Sequence, residues 1–235
     1  MFKKIKLLII IPAREGSKTI KNKNLIKLYN KHLIFYTIKF AKKFSEKNKL
    51  IFCSTDSSKI KKIVKNYGLE TPFLRPKKYS RDVSRDLEFV NHTLKEYNKI
   101  GINFKIGLIL RPTSPIRNLK DIKKAYKMFL QNKKADSMRA ITYSKNNPYK
   151  TWVVKKKYLV SIMNSKIKEH YNAPRQILPK TFWQTGNFEF FKINFKKKLN
   201  SISGKQIMPY FINGESILDI DTISDIENIK KNTLL

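Results

Sequence analysis

Two largely aliphatic runs in the chain each lead into a polar loop that contains proline. The first runs from Ile5 to Ile11 and meets Pro12, and the second runs from Phe104 to Leu110 and meets the loop Arg111–Arg117. Runs of this kind are typical of central parallel strands, which are covered on both faces. The sequence therefore predicts two buried core strands, each followed by a polar loop.

Shorter apolar runs and helical periodicities fill the rest of the chain. They predict further strands at 50–54, 136–143, 207–212 and 217–220, and helices at 33–44, 57–67, 87–97, 121–130 and 222–231. Strands that alternate with helices at this spacing predict an α/β fold with a doubly wound, mostly parallel sheet. Ligands bind such sheets at the carboxyl ends of the strands, so the loops at 12–24 and 111–117 are expected to border the ligand.

Residues from about 145 to 185 interrupt this alternation. They contain two short apolar runs, Thr151–Val154 and Tyr158–Met163, and a polar loop that is rich in Asn, Pro and Gln. We interpret this stretch as a small β-rich excursion, and as a dimerisation arm, within a single domain of residues 1–235.

The composition adds a strong positive charge. The formal net charge is +34, which raises nucleic-acid binding as an alternative function. The excess is almost entirely lysine and is spread over nearly every segment, whereas a nucleic-acid module more often clusters arginine. The eight arginines are therefore candidates for places that need a planar donor: Arg14, Arg75, Arg81, Arg85, Arg111, Arg117, Arg139 and Arg175.

Two further features narrow the class of protein. The one cysteine, Cys53, excludes an internal disulfide and a cysteine-based zinc cluster. No apolar run approaches the roughly 20 residues of a membrane span, and the N-terminal run is too short for the core of a secretion signal. We therefore expect a cytoplasmic protein without a membrane segment.

The loop after the first strand carries candidate phosphate-binding chemistry. It reads Pro12-Ala13-Arg14-Glu15-Gly16-Ser17-Lys18 and is followed by Lys23-Asn24. It has one glycine and is neither a dinucleotide fingerprint nor a Walker loop. Arginine and lysine side chains would have to hold the phosphate oxygens in place of backbone amides. From spacing alone, an ordinary basic loop remains an equal alternative.

Two acids near the C-terminus form a second candidate site. In a strand, residues two apart share a face, so Asp219 and Asp221 would point one way and Ile220 would point into the core. Two carboxylates on one face suit a hard cation such as Mg²⁺. A solvated pair at a strand end, or a helix cap formed with Thr222, remains the alternative.

The basic loop resembles the signature loop of the acylneuraminate cytidylyltransferases, the family that makes CMP-sialic acid and its relatives. Further segments are similar to motifs of that family in matching order: Cys53-Ser54-Thr55-Asp56, Leu74-Arg75-Pro76, residues 110–117 (LRPTSPIR), 147–150, 173–179 and 218–222 (LDIDT). Together they cover nearly the whole chain, and such an ordered series is hard to produce by chance.

The resemblance implies an enzyme that activates a nonulosonic (sialic-acid-like) sugar acid with CTP, using Mg²⁺, in a homodimer with a Rossmann-like nucleotidyltransferase fold. The residues it implies for catalysis are Arg14, Lys18, Lys23 and Asp221. Those implied for nucleotide binding are Ala13, Arg14, Gly16, Ser17, Asn24, Arg75, Asp86 and Thr113. Those implied for the sugar are Arg111, Ser114, Lys150 and Arg175, and those for the metal are Asp219 and Asp221. For Lys150, a plain surface lysine is an equal alternative.

Three positions depart from the family pattern. Arg111 stands where the sialic-acid enzymes commonly have Gln, Trp183 stands in place of an Arg, and Asp86 stands where a Ser often lines the base pocket. Because Arg111 and Trp183 bear on the sugar side, the identity of the sugar acid stays open between sialic acid, legionaminic acid and another nonulosonic acid. A CTP transferase for the eight-carbon acid Kdo is the nearest alternative, and a basic nucleic-acid-binding protein is the alternative from another class.

Overall fold

A computed structural model describes residues 3–16, 20–194 and 197–231 of the chain, with Glu215 and Ser216 described by their backbone alone. The strands are β1 Lys3–Pro12, β2 Lys27–Leu28, β3 Lys31–His32, β4 Lys49–Ser54, β5 Ile102–Ile109, β6 Ser137–Tyr143, β7 Trp152–Lys155, β8 Tyr158–Ser161, β9 Phe182–Lys192 and β10 Ile207–Phe211. The helices are α1 Leu33–Lys43, α2 Ser58–Asn66, α3 Asp86–Lys99, α4 Leu119–Gln131 and α5 Ile223–Lys231.

Six strands form the central sheet, in the order β10-β6-β9-β5-β1-β4. β1 lies next to the edge strand β4 and pairs in parallel with β4 on one side and with β5 on the other, with Ile9 opposite both Ile51 and Leu108. The predicted mixed α/β class with a mostly parallel sheet is confirmed. The two aliphatic runs are the neighbouring core strands β1 and β5.

Both faces of β1 are buried, as its unbroken aliphatic pattern predicts. Leu7, Ile9 and Ile11 pack into the hydrophobic cluster on one face, while Leu8 and Ile10 pack into the cluster on the other. All five side chains are fully buried. This arrangement fixes the end of β1, and therefore the start of the basic loop, within the fold.

Helix boundaries follow local signals. Ser57 caps α2 by accepting a hydrogen bond from the backbone N–H of Ile60, as predicted. Gly68 follows that helix with a φ of 70°, the left-handed conformation that glycine adopts without strain at a helix end. These caps agree with the predicted helix at 57–67 to within one residue at each end.

The sequence analysis missed β9. This strand runs antiparallel to β5, with Phe190 opposite Leu108 and Phe191 opposite Gly107. The Phe191 ring occupies the space beside Gly107, where a Cβ would lie only 2.0 Å from the ring. Phe188, Phe190 and Phe191 of this strand are fully buried and belong to the hydrophobic core.

The predicted strand at 217–220 is wrong. A short 3₁₀ turn occupies Gly214–Ile217, and Asp219 to Asp221 lie in a loop before α5. The backbone N–H of Ile220 donates to the carbonyl of Thr113 at 2.7 Å, so this loop is tied to the chain after β5 and not to a neighbouring strand.

The chain divides into two compact units, Met1–Ala140 with Thr185–Leu235, and Ile141–Gln184. The second unit covers nearly the range assigned to the β-rich excursion. It contains the antiparallel hairpin β7–β8, in which Val153 lies opposite Val160. Among the described residues, no helix combines the length and the apolar composition needed to cross a bilayer.

Candidate active site

A cavity of about 290 Å³ opens where β1 and β5 end, and it lies in the first unit. The loops that follow these strands, the start of α3 and the segment before α3 line it. It brings together eight residues that the sequence analysis singled out: Arg14, Gly16, Lys23, Asn24, Arg75, Asp86, Arg111 and Thr113. The carboxyl-end rule for parallel sheets therefore locates the cavity correctly.

Hydrogen bonds to the end of β4 hold the basic loop in place. The N–H of Ala13 donates to the carbonyl of Ser54 at 2.9 Å, and the N–H of Glu15 donates to Asp56 Oδ1 at 3.0 Å. The Ser57 hydroxyl donates to Glu15 Oε1 at 3.1 Å. Ala13 is fully buried, so its part in the site is to fix the backbone.

Arg14 and Asn24 line the same cavity from opposite ends of this loop. Asn24 Nδ2 donates to the carbonyl of Arg14 at 3.0 Å and so closes the loop on itself. Arg14 Nη1 forms an ion pair with Asp82 Oδ1 at 2.7 Å and has a side chain that is one-third exposed. Because a surface pair of this kind is weak, a phosphate can displace Asp82 from the guanidinium at little cost.

Arg75 is the least satisfied cation of the cavity wall. It is 6% exposed, and its Nε and Nη2 have no hydrogen-bond partner among the described residues. Its guanidinium lies 5.4 Å from the ring centre of Phe89, and burial lowers its pKa. Buried polar groups normally have partners, so a guanidinium in this state indicates that an anionic or acceptor-rich ligand completes the site.

Lys23 joins the two candidate constellations. Its side chain is buried, and Nζ donates to the carbonyl of Ile220 and to Asp221 Oδ1, each at 3.0 Å. The basic loop and the acidic loop thus meet at the contact of Lys23 with Asp221. In this arrangement the Lys23 ammonium is the counter-ion of the Asp221 carboxylate.

The acidic loop is shaped by its neighbours. Ile220 is fully buried, as predicted, but Asp219 and Asp221 are not paired on a strand face, because the loop is irregular here. Ser114 Oγ donates to Asp219 Oδ1 at 3.3 Å. A Cβ on Gly186 would lie 2.7 Å from Asp219 Oδ2 and 2.8 Å from Ser114 Oγ, so only glycine leaves room for both groups.

This donor set fits Mg²⁺. It consists of carboxylate oxygens from Asp219 and Asp221, with the Ser114 hydroxyl beside them, and Mg²⁺ is usually bound by one or two carboxylates together with water and substrate phosphates. The described residues contain no group of three or more His, Cys, Asp or Glu side chains that could hold a metal by themselves. Substrate phosphates would therefore supply the remaining ligands.

Arg111 is tied to two acids. Its Nη2 forms ion pairs with Asp86 and, at 2.8 Å, with Glu189 Oε1, and Arg139 pairs with the other oxygen of Glu189. Glu189 is almost fully buried, and these carboxylates raise the pKa of Arg111 although its burial opposes the shift. Both predicted departures near the cavity, Arg111 and Asp86, are thus partners of each other.

The other predicted site residues are Ser17, Lys18, Ser114, Lys150 and Arg175. Ser17 and Lys18 lie outside the described residues. Lys150 and Arg175 belong to the second unit, where Lys150 ends a short turn capped by Asn147 and Arg175 is exposed. Ser114 is buried beside Asp219.

The sequence analysis missed the roles of Glu189 and Gly186 because both lie on the unpredicted strand β9. It also assigned no role to Arg117, which donates to the carbonyl of Asn187 at 2.8 Å, to Thr37 Oγ1 at 3.0 Å and to the carbonyl of Arg111. Arg117 therefore joins β9, α1 and the loop after β5. The scarcity of arginine was the available signal for this residue.

Comparison with known proteins gives one consistent family. The family model described as cytidylyltransferase matches residues 8–231. Over 143 residues the chain is 35% identical to the N-acylneuraminate cytidylyltransferase of Escherichia coli O18:K1:H7 (strain RS218 / NMEC), which covers 61% of this chain and 32% of that protein. It is 28% identical to the pseudaminic acid cytidylyltransferase of Campylobacter jejuni subsp. jejuni serotype O:2 (strain ATCC 700819 / NCTC 11168), covering 96% of this chain and 95% of that protein.

Among solved structures, the chain is similar to CMP:2-keto-3-deoxy-manno-octonic acid synthetase complexed with CTP. The TM-score is 0.69 at 14% sequence identity, covering 97% of this chain and 98% of the other. At this identity the likeness shows the fold alone.

Proposed function

The chain belongs to the cytidylyltransferase family, and from that membership we propose that it couples a nonulosonic sugar acid to the CMP part of CTP and releases pyrophosphate. The family predicted from the ordered motifs is confirmed. The observation that carries the proposal is the contact of Lys23 with Asp221, because it joins the cationic loop to the acidic loop beside a cavity in whose wall two nitrogens of Arg75 have no hydrogen-bond partner among the described residues.

The proposed reaction is an in-line displacement. The anomeric hydroxyl oxygen of the acid forms a bond to the α-phosphorus of CTP as its proton passes to solvent water, and the bond from that phosphorus to the pyrophosphate oxygen breaks. Reactions of this class depend mainly on positioning and on neutralising phosphate charge. Arg14 and Lys23 line the cavity and would neutralise the departing pyrophosphate, while Arg75 would bind the nucleotide.

Asp219 and Asp221 would hold Mg²⁺, with Ser114 supporting Asp219. When bound, the metal would supply positive charge against the phosphate oxygens. The Asp221 carboxylate also accepts a hydrogen bond from Lys23, so it would serve both the metal and the ammonium group. The buried hydrogen bond to the Ile220 carbonyl holds the Lys23 ammonium in place beside the cavity.

Exposed apolar side chains of the second unit support the proposed homodimer. Val154, Tyr158 and Leu159 of the hairpin are 61–71% exposed, and Trp183 is 67% exposed. A group of large apolar side chains in water is typical of an interaction surface. We expect light scattering after gel filtration to give twice the 27.8 kDa chain mass; a monomer at all concentrations would remove the dimer from the proposal.

Since CTP is the proposed co-substrate, we place the enzyme in the cytoplasm.

A sugar-acid panel tests the function. Purified protein is incubated with CTP, Mg²⁺ and sialic, legionaminic, pseudaminic and Kdo acids in turn, and pyrophosphate release is measured. We expect turnover with at least one nine-carbon acid, and a loss of about a hundredfold or more in Asp221→Asn but not in the exposed Glu227→Gln. Turnover with Kdo alone would show that Kdo, and not a nine-carbon acid, is the substrate. No turnover with any of these acids would contradict the proposal.

A further inference from the structure

A second cleft lies on the other side of α3. Its volume is about 840 Å³, larger than the candidate active site and within the usual range for small-molecule sites. Its apolar floor comes from the edge of a core cluster and includes Leu94, Ile102, Phe104, Ile193 and Leu199. Nothing in the proposed reaction uses this space.

The rim of the cleft is cationic. Lys78, Lys95, Lys197 and Lys198 line it, and none of them forms an ion pair with another described residue. Its two acids already have partners. Glu96 pairs with Lys99 at 2.8 Å, and Glu88 accepts the N–H of Arg85 at 3.0 Å.

A polar group in the wall also lacks a partner. His92 lines the cleft, and its Nδ1 is buried with no hydrogen-bond partner within the described part of the chain. The ring packs edge-on against Phe73 and tilted against Tyr79, which fixes its orientation. Such an atom is usually satisfied in a complete structure, so it indicates a missing hydrogen-bonding group.

The two walls are fixed to each other before any ligand enters. Asn91 on α3 donates through Nδ2 to the carbonyl of Leu199 at 2.9 Å and accepts the N–H of Leu199 at 3.0 Å. A preformed cleft loses little entropy when it binds a ligand. Tyr79 lines both this cleft and the candidate active site, so the two cavities share a wall.

We propose that this cleft is a second binding site, for a small molecule that carries a phosphate group and an apolar or aromatic part of nucleotide size. The lysines of the rim bind the phosphate, and the apolar floor receives the ring. This inference does not depend on the proposed transfer reaction.

The test uses AMP as the probe. Binding is measured by equilibrium dialysis with saturating CTP and Mg²⁺ but without a sugar acid, so that the candidate active site is filled and nothing turns over. We expect the double variant K197E/K198E to weaken AMP binding about tenfold or more. The matched variant K123E/K124E makes the same charge change at two exposed lysines of α4 and is expected to bind AMP as the parent does.

Photolabelling locates the bound probe. Under the same conditions we expect 8-azido-AMP to label residues 91–98 of α3 or residues 197–200, which line the cleft and not the candidate active site. The proposal is overturned if AMP does not bind in the presence of CTP, if both double variants lose affinity equally, or if the label lies outside the cleft. None of these results bears on whether CMP-sugar is formed.

Discussion

The Nζ atom of Lys23 lies 3.0 Å from Oδ1 of Asp221, although 198 positions separate the two residues in the chain. The lysine side chain is 10% exposed and the aspartate side chain is 72% exposed, so the pair joins the interior to the surface. A second bond from the same ammonium to the Ile220 carbonyl makes Lys23 a structural as well as a chemical residue.

Replacing Lys23 with methionine tests both roles. We expect Lys23→Met to lower the free energy of unfolding by about 1–3 kcal/mol, because it leaves the carbonyl of Ile220 without its donor. We expect turnover to fall about a hundredfold, because a charge beside the phosphates is lost. Urea unfolding and pyrophosphate release measure the two effects. Lys21→Met, at an exposed lysine two positions away, is the control and should change neither.

A methyl group at Gly186 tests the acidic loop. The Cβ of Gly186→Ala would push against Asp219 Oδ2 and Ser114 Oγ, so the carboxylate must move from its present position. Overpacking of this kind costs about 1–3 kcal/mol. We expect a higher Mg²⁺ requirement and at least about tenfold lower turnover, with CTP binding largely kept. An unchanged Mg²⁺ dependence would separate Asp219 from the metal.

Arg75 should contribute to ligand binding and little to stability. Because two nitrogens of its buried guanidinium have no hydrogen-bond partner in the part of the chain that the structure describes, we expect Arg75→Met to leave the melting temperature of the ligand-free protein unchanged or higher. CTP affinity should fall about 10- to 100-fold with the loss of charged hydrogen bonds. Thermal unfolding with and without CTP measures both, with Lys62→Met as an exposed control. A large loss of stability without ligand would contradict this assignment.

Glu189 should be a stability residue. It is buried between Arg111 and Arg139, and Glu189→Gln removes the carboxylate that both guanidinium groups share, leaving Arg111 with Asp86 alone. We expect a loss of about 3–5 kcal/mol in urea unfolding. Glu70→Gln, which removes only an exposed pair with Lys65, should cost less than about 1 kcal/mol. Equal losses in the two variants would show that the buried network does not stabilise the fold.

Cys53 reports on the integrity of the core. The thiol is fully buried, and burial raises its pKa from an ordinary 9.0 to about 12. At pH 8 only about one molecule in 10⁴ carries the thiolate, so we expect no alkylation by iodoacetamide in the folded protein and one equivalent after unfolding in urea. Rapid labelling of the native protein would show that β4 is not buried as described.

The sequence predicted correctly those elements whose position depends on one kind of interaction, either apolar burial or a local helix cap. The strands β1 and β5 were predictable because both faces are covered by apolar side chains, so the pattern is largely aliphatic. Their carboxyl ends then located the cavity. Local caps such as Ser57 and Gly68 placed the ends of α2, because they depend on neighbouring residues alone.

The wrong strand at 217–220 and the missed strand β9 are segments whose structure depends on residues far away in the sequence. The run at 217–220 looks like a strand, but its backbone bonds go to Thr113 and Lys23, which no local pattern reveals. β9 was missed because Gly186 and the buried charge of Glu189 break its apolar alternation. Both residues are there for distant partners, Asp219 in one case and the pair Arg111 and Arg139 in the other.

The site roles taken from the resemblance show the same division. Arg14, Lys23 and Arg75 line the cavity as expected, because the loops that carry them follow directly from the strand order. Arg111 was expected to face the sugar, yet Asp86 and Glu189 hold its guanidinium. The sequence shows that Arg111 and Asp86 each depart from the family pattern, but only the structure shows that they form an ion pair.

The ion pair between Arg139 and Glu189 has a consequence for how this chain can change. The chain leaves the first unit after Ala140 and re-enters it at Thr185, so these two residues stand just before the exit and just after the return. The ion pair therefore joins the two chain segments between which the 44 residues of the second unit are inserted. We expect that a short hairpin turn, or the corresponding stretch of a relative, can replace this insertion while the central sheet of the first unit still folds.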